Sequence, residues 1–327
     1  MRAAALAFTD HGMQVGKRLT SCFDEFSLER CAKGNLSAWT AEAFTGNDAL
    51  IYIGAVGIAV RAIAPYIHKK TADPCVLVID EQGKYVIPIL SGHIGGGNAL
   101  ALKLAEILHA LPVITTATDL NGLFAVDSWA VRNHLFVANS ECIKLVSGRV
   151  LEGKSVSFYS DDVIFGTQPK YIVRQEKQPD FYIGYHAAPT EVLRLVPKNI
   201  AAGIGCRKGI SQTAVEAAFR QACLDAALPE ECITAVASID LKKDEQGLKD
   251  FCLSRGLPFL TFSSGILAEV EGSFSPSSFV QSVTGVDNVC ERSAVKLSGG
   301  RLLFSKKAYN GVTVAFAAAW PVISWEE

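Results

Sequence analysis

The stretch from Lys84 to Leu104, KYVIPILSGHIGGGNALALKL, constrains the fold of this chain more than any other. A strand-like apolar run over residues 85–90, broken only by Pro88, leads into a turn carrying Gly92, Gly95, Gly96 and Gly97. An apolar stripe at helical spacing follows, with Leu100, Leu104, Ile107 and Leu108 on one face, and predicts a helix over 96–109. Strand, glycine turn, helix is an arrangement that aims backbone N–H groups at a ligand. The helix N-terminus adds partial positive charge, and the missing Cβ atoms let a ligand approach the backbone. The spacing is neither G-x-G-x-x-G nor G-x-x-x-x-G-K-[ST], so the familiar nucleotide readings do not apply directly. The turn also contains His93, which titrates near neutral pH.

The same grammar recurs along the chain. An apolar run over 49–53 enters GAVGIAVRAIAP, and another over 200–204 enters GIGCRKG before a helix that Ser211 should cap. Residues 81–84 read as a tight polar turn, so the runs on either side of it should form a hairpin. Residues 23–48 read as irregular. Alternating strands and helices over 1–135 imply an N-terminal, mostly parallel α/β domain with helices on both faces. The 91–98 turn and the Thr115-to-Asp119 cluster should then share the carboxyl edge of that sheet. From residue 136 helices thin out and short strands alternate with polar turns, which suggests a small middle domain rich in strands over 136–197. Strands and helices alternate again over 198–327, a C-terminal α/β domain.

With 327 residues, 49% hydrophobic and 20% charged, the chain is long enough for two or three globular domains. A formal net charge of -2 argues against nucleic acid as a partner. The nine cysteines include no C-x-x-C pair, which disfavours a zinc ribbon or a disulfide framework and favours scattered reduced thiols. The N-terminal residues read as a first strand rather than a signal peptide, and the longest apolar run, 49–60, is too short to cross a membrane. The expectation is a cytoplasmic protein with no membrane contact.

His93 is the leading candidate for general base, or for donor to a carbonyl. An acyl group placed over the amides of Gly95, Gly96 and Gly97 would meet N–H donors and an imidazole together; the bland alternative is a loop imidazole that caps its neighbour. Asp119 would orient His93 or take a proton, unless it is only a turn residue before Leu-Asn-Gly. Ser91, Gly92, Asn98, Thr115 and Thr116 would complete the ligand-facing edge. In the C-terminal domain, Gly205, Cys206, Arg207 and Lys208 form an anion-binding loop. Cys206, beside two cations, is either a thiol of lowered pKa or a small residue facing the core. The run VTGVDNVCERSA adds Glu291, a further base unless it caps its helix, and Arg292, a carboxylate clamp unless it is a surface charge.

In order along the chain stand GAVGIAVRAIAP, LSGHIGGGNALA, TTATD, FAVDSWA, GIGCRKG and VTGVDNVCERSA. Together these strings closely resemble the cobalt-precorrin-5A hydrolase (CbiG) family of anaerobic cobalamin (vitamin B12) biosynthesis, over nearly the whole length. The last domain also resembles the CobE-type proteins of the aerobic route. One mild departure is Gly97, where a residue such as Ala is usual; it should loosen the turn slightly.

The resemblance implies a cobalt-precorrin substrate, a macrocycle bearing a δ-lactone between a ring A acetate and the meso carbon C20. Water opens the lactone, and C20 leaves with its methyl group as acetaldehyde. Cobalt arrives with the substrate, so neither a cofactor nor a protein metal site is expected. Such chemistry needs an activated water, donors for the oxyanion, and cations for the carboxylates around the ring. Transient contacts with neighbouring pathway enzymes would fit. Two alternatives remain open from the residues themselves: a non-enzymatic corrinoid-binding protein that carries intermediates, and a nucleotide or phosphosugar enzyme, which would lack its phosphate-loop lysine.

Overall fold

Short buried runs in the N-terminal half become the strands of one six-stranded sheet: β1 (Arg2–Ala7), β2 (Glu25–Arg30), β3 (Ala49–Ile53), β4 (Cys75–Ile79), β5 (Tyr85–Leu90) and β6 (Leu111–Pro112), in the order β2-β1-β3-β4-β5-β6. The computed structural model describes residues 1–68, 73–92, 95–115 and 123–326. Strand periodicity of two sends Ala3, Ala5, Ile51 and Leu77 to one face, where Val15, Leu100 and Leu104 pack on them. Ala4, Leu6, Leu50 and Val76 go to the other face, against Trp39, Phe44 and Ile63. Helices Asp10–Lys17 and Gly97–Leu108 therefore cover one side, and Leu36–Gly46 and Val56–Ile63 the other. Burial on both faces explains why β3 and β4 are unbroken apolar runs.

The predicted hairpin forms, and it moves the loop that follows it to an edge other than the expected one. β1 to β4 run parallel, but β5 returns antiparallel to β4, and β6 runs with β5. The reversing turn is held by Asp80, whose Oδ1 accepts the Lys84 and Tyr85 amides at 2.7 and 2.6 Å. Leu90 consequently stands opposite Val76, near the start of β4. The 91–98 loop and Thr115 do share an edge, but it is the edge where β1, β3 and β4 begin, not their carboxyl edge. Residues 23–48 also differ, holding the edge strand β2 and helix Leu36–Gly46.

Two further five-stranded sheets follow. The first contains β7 (Leu135–Val137), β8 (Val156–Ser160), β10 (Ile172–Arg174), β11 (Phe181–Ile183) and β12 (Leu193–Pro197), in the order β10-β8-β11-β12-β7. The small β9 (Ile164–Phe165) pairs with β18 (Ile323–Ser324). The last sheet contains β13 (Ile200–Cys206), β14 (Ile233–Ile239), β15 (Phe259–Phe262), β16 (Arg301–Tyr309) and β17 (Val312–Ala318), in the order β15-β14-β13-β17-β16. Ile200, Ala202 and Ile204 of β13 face Val215 and Phe219 of helix Gln212–Ala226 and Phe251 of helix Gln246–Ser254. Gly203 points the other way, where a Cβ would fall 1.8 Å from the Cys290 carbonyl oxygen. That gap is what lets helix Cys290–Ser298 lie on the sheet.

By packing, these parts form two compact units: Met1–Val131 with Ile143–Lys154, and Arg132–Cys142 with Ser155–Glu327. Within the second unit the two larger sheets are tied by polar links. Arg194 Nη2 donates to the Ala227 carbonyl, the cap of helix Gln212–Ala226, at 2.7 Å. Arg301 pairs with Asp162 at 3.0 Å and stacks on Tyr185 and Trp320.

Candidate active site

The N-terminal loop is a self-closing turn. Ser91 adopts φ 52, its Oγ donates to the Asp73 carbonyl at 3.0 Å, and its own carbonyl accepts the Gly97 amide at 3.2 Å. The Gly92 carbonyl accepts the Asn98 amide at 2.8 Å. Gly96 caps the helix at φ 75, a conformation that costs a side chain-bearing residue energy. A Cβ on Gly95 would lie 2.5 Å from that of Ser91, and one on Gly92 would lie 2.6 Å from Asn98 Oδ1. Glycines here are thus required by the loop's packing on itself. Gly97 is less constrained: a Cβ there would meet the Ser91 carbonyl oxygen at 3.2 Å and Cys75 Cβ at 3.3 Å, a close contact that a shift of a few tenths of an ångström relieves. Since the Gly97 amide is committed to Ser91, it is not among the donors a ligand would find. His93, Thr116 and Asp119 lie outside the described residues; Thr115 is exposed on the strand edge that the loop shares.

The second loop follows β13, which is parallel to β14, and so stands at the carboxyl edge of its sheet. Gly205 lies against Thr313, whose Oγ1 a Cβ would approach to 2.6 Å. Arg207 and Lys208 are exposed, and among the described residues neither has a carboxylate partner. Cys206 is half-buried, and burial pushes its thiol up; the nearby Lys242 ammonium pulls it partway back and Glu245 adds to the rise. The thiol of lowered pKa is therefore corrected: loss of water around the sulfur outweighs the cationic neighbours.

The two charged residues of helix Cys290–Ser298 turn inward. Glu291 is fully buried, and both its oxygens are engaged. Oε2 accepts the Ser275 amide at 2.8 Å and Asn288 Nδ2 at 2.7 Å, and Oε1 accepts the Lys306 amide at 2.7 Å. It does not cap its own helix; it ties the segment before the helix to β16. A carboxylate with these partners and no access to solvent is a brace and not a base. Arg292 pairs with Asp287 at 3.0 Å, donates to the Val270 carbonyl at 2.8 Å, and lies 4.7 Å over the Phe274 ring. Its side chain is only 16% exposed, so it clamps its own protein rather than a ligand.

Three contributors carry no local signal in the sequence. Asp73, 8% exposed, accepts the His68 amide at 3.0 and 3.2 Å while its carbonyl holds Ser91. Lys242 and Glu245 meet beside the second loop. A fourth, Gly311, was foreshadowed by the Asn310-Gly311 pair, whose φ values of 45 and 89 close the β16–β17 hairpin. Among the described residues, no three His, Cys, Asp or Glu side chains gather as metal ligands, and no helix is long and apolar enough to cross a membrane.

Family models described as cobalamin synthesis G N-terminal and cobalamin synthesis G C-terminus match residues 38–119 and 200–317. A protein of Salmonella typhimurium named cobalt-precorrin-5A hydrolase is 33% identical, with 97% of each chain covered. A protein of Priestia megaterium with the same name is 28% identical over 96% of this chain and 94% of that one. The crystal structure of CobE, a protein of the cobalamin pathway, aligns with 37% of this chain and 89% of its own at 31% identity and a TM-score of 0.35.

Proposed function

The chain belongs to the cobalamin synthesis G family, and on that premise we propose that it is a cobalt-precorrin-5A hydrolase. It opens the δ-lactone of cobalt-precorrin-5A with water and releases C20 and its methyl group as acetaldehyde, leaving cobalt-precorrin-5B. The observation that carries this reading is the end-to-end relation to the Salmonella typhimurium protein of that name. Cobalt enters and leaves as part of the substrate, and the chain's own residues supply the rest. In this reading His93, with Asp119 as its partner, activates the water or polarises the lactone carbonyl, and Ser91 fixes the shape of the loop that carries His93. Arg207 and Lys208 hold carboxylates at the ring's rim. We read the chain as an N-terminal part over 1–135, a middle part over 136–197 and a C-terminal part over 198–327. The protein works in the cytoplasm, in transient contact with the enzymes that supply and consume its macrocycle. Incubating the pure protein with the lactone macrocycle should release one acetaldehyde per ring opened. Binding without acetaldehyde above a protein-free control would leave only a carrier of corrinoid intermediates.

A further inference from the structure

Glu245 occupies the N-cap position of helix Gln246–Ser254, yet its side chain does not cap that helix. Its Oε1 accepts the Gly209 amide at 2.7 Å, 36 residues away in sequence, and its Oε2 accepts Lys242 Nζ at 3.2 Å. The two side chains are 10% and 17% exposed. A carboxylate in so dry a place makes stronger hydrogen bonds than one in water. It is used to stitch the loop after β13 to the turn after β14. The other flank of that loop is set by Gly311. Its carbonyl accepts the Arg207 amide at 3.1 Å, and a Cβ there would stand 3.1 Å from both Cδ and Nε of Arg207. The Arg207 side chain thus runs flat over the bare Gly311 backbone.

The charges left over are informative. Arg255 is neutralised by Glu216 and Glu230, Arg292 by Asp287 and Arg301 by Asp162. Arg207 and Lys208, at the carboxyl edge and on the loop framed by Glu245 and Gly311, have no such counter-charge among the described residues.

We propose that Glu245, secured by Lys242, and Gly311 are positioning residues that present Arg207 and Lys208 as a preformed clamp for carboxylates at the macrocycle's rim. This deepens the hydrolase reading and rests on it for the identity of the ligand. A clamp held in place before binding loses less side-chain freedom when it closes on its anion.

The test is a double-mutant cycle on the whole protein, with Kd read from the visible absorbance of the lactone macrocycle and rates from acetaldehyde release. Glu245→Ala should raise Kd and KM about tenfold with kcat at saturation within about twofold. Gly311→Ala should do the same, both by crowding the Arg207 side chain and by straining the turn at φ 89 that holds the Arg207 amide, and it leaves the Glu245 bonds untouched should Glu245→Ala fold poorly. Glu245→Gln, which keeps an acceptor for the Gly209 amide, should recover part of the loss. Glu245→Ala on top of Arg207→Ala and Lys208→Ala together should add little, because the frame acts through the two residues already removed. Unchanged Kd in both frame variants, or losses that simply add, overturn the clamp. Tight binding by the wild type without acetaldehyde overturns only the hydrolase reading, and no binding by the wild type overturns both.

Discussion

The loops after β5 and β13 share one local grammar, strand to glycines to helix, but are built in opposite ways. The 91–98 loop is closed by its own carbonyls on its own amides, with Gly92 and Gly95 packed against Asn98 and Ser91. The 205–209 loop is held from outside by Glu245 and Gly311 and exposes two unneutralised cations. They also stand at different edges of their sheets, because β5 returns antiparallel while β13 follows the parallel rule. An externally framed pair of cations suits holding an anionic rim. On the proposed reading the first loop would carry the chemistry and the second the binding.

The largest effect should come from the first loop. His93→Ala should bind the macrocycle as tightly as the wild type while its single-turnover rate of acetaldehyde release falls on the order of 10²–10⁴-fold. The remaining rate should lose its dependence on pH between roughly 5.5 and 8, the range in which an imidazole titrates. A wild-type rate and pH profile in the variant would break the comparison and move the base to Asp119, ahead of Glu291, which is fully buried with both oxygens already accepting hydrogen bonds.

Glu291 sharpens the comparison from the other side, as a residue that reads as chemistry and is built as frame. Glu291→Gln would keep one acceptor oxygen and turn its N–H₂ either toward the Lys306 amide or toward the Ser275 amide and Asn288 Nδ2. Each buried donor left unmatched costs about 1–3 kcal/mol. A loss of about 3 kcal/mol would lower Tm by roughly 6–12 °C for a domain of this size. Below the transition, kcat should stay near wild type. A stable variant with a collapsed rate would return Glu291 to the catalytic set.

Why some of this was legible in the sequence and some was not follows from the range of the interactions. Strands buried on both faces, such as β3 and β4, announce themselves as apolar runs. Helix Gln212–Ala226 does so through its stripe and through Ser211, whose side chain accepts the Ala214 amide. The edge strand β2 was hidden because its charged residues, Glu25, Glu29 and Arg30, stay in solvent. The hairpin before the 91–98 loop was visible in the polar turn at 81–84. That it carries the loop to the opposite edge depends on sheet order, which local sequence does not encode. The surroundings of Glu291 and Arg292 were illegible for a related reason: their partners at Ser275, Lys306 and Val270 come from other segments.

A smaller effect is expected from the second loop. Arg207→Ala should weaken macrocycle binding about tenfold, consistent with one charge-assisted contact at a partly solvated site. Its kcat should be nearly unchanged, and its binding should weaken less steeply with added salt than that of the wild type. A fall in kcat at saturating macrocycle would mean that the second loop takes part in the chemistry, and the division of labour would fail.

The smallest effect is expected at Cys206, the one thiol on either loop. If the cations beside it made a thiolate, the second loop would hold a reactive group and the contrast would collapse. Burial raises this thiol instead, so it stays protonated through neutral pH. For an acid whose folded pKa is raised, the stability it contributes is complete below the unfolded value of about 8.5. That contribution is lost only as pH rises from there through the folded value. Between pH 7 and 8, Cys206 should therefore neither titrate nor react quickly. Cys206→Ala should keep Kd and single-turnover rate within about twofold, and residue-resolved alkylation at pH 7.5 should label Cys206 more slowly than a free cysteine. Labelling that outpaces free cysteine at that pH, together with a rate loss beyond tenfold in the variant, would show a thiolate at work and make the second loop a second chemical centre.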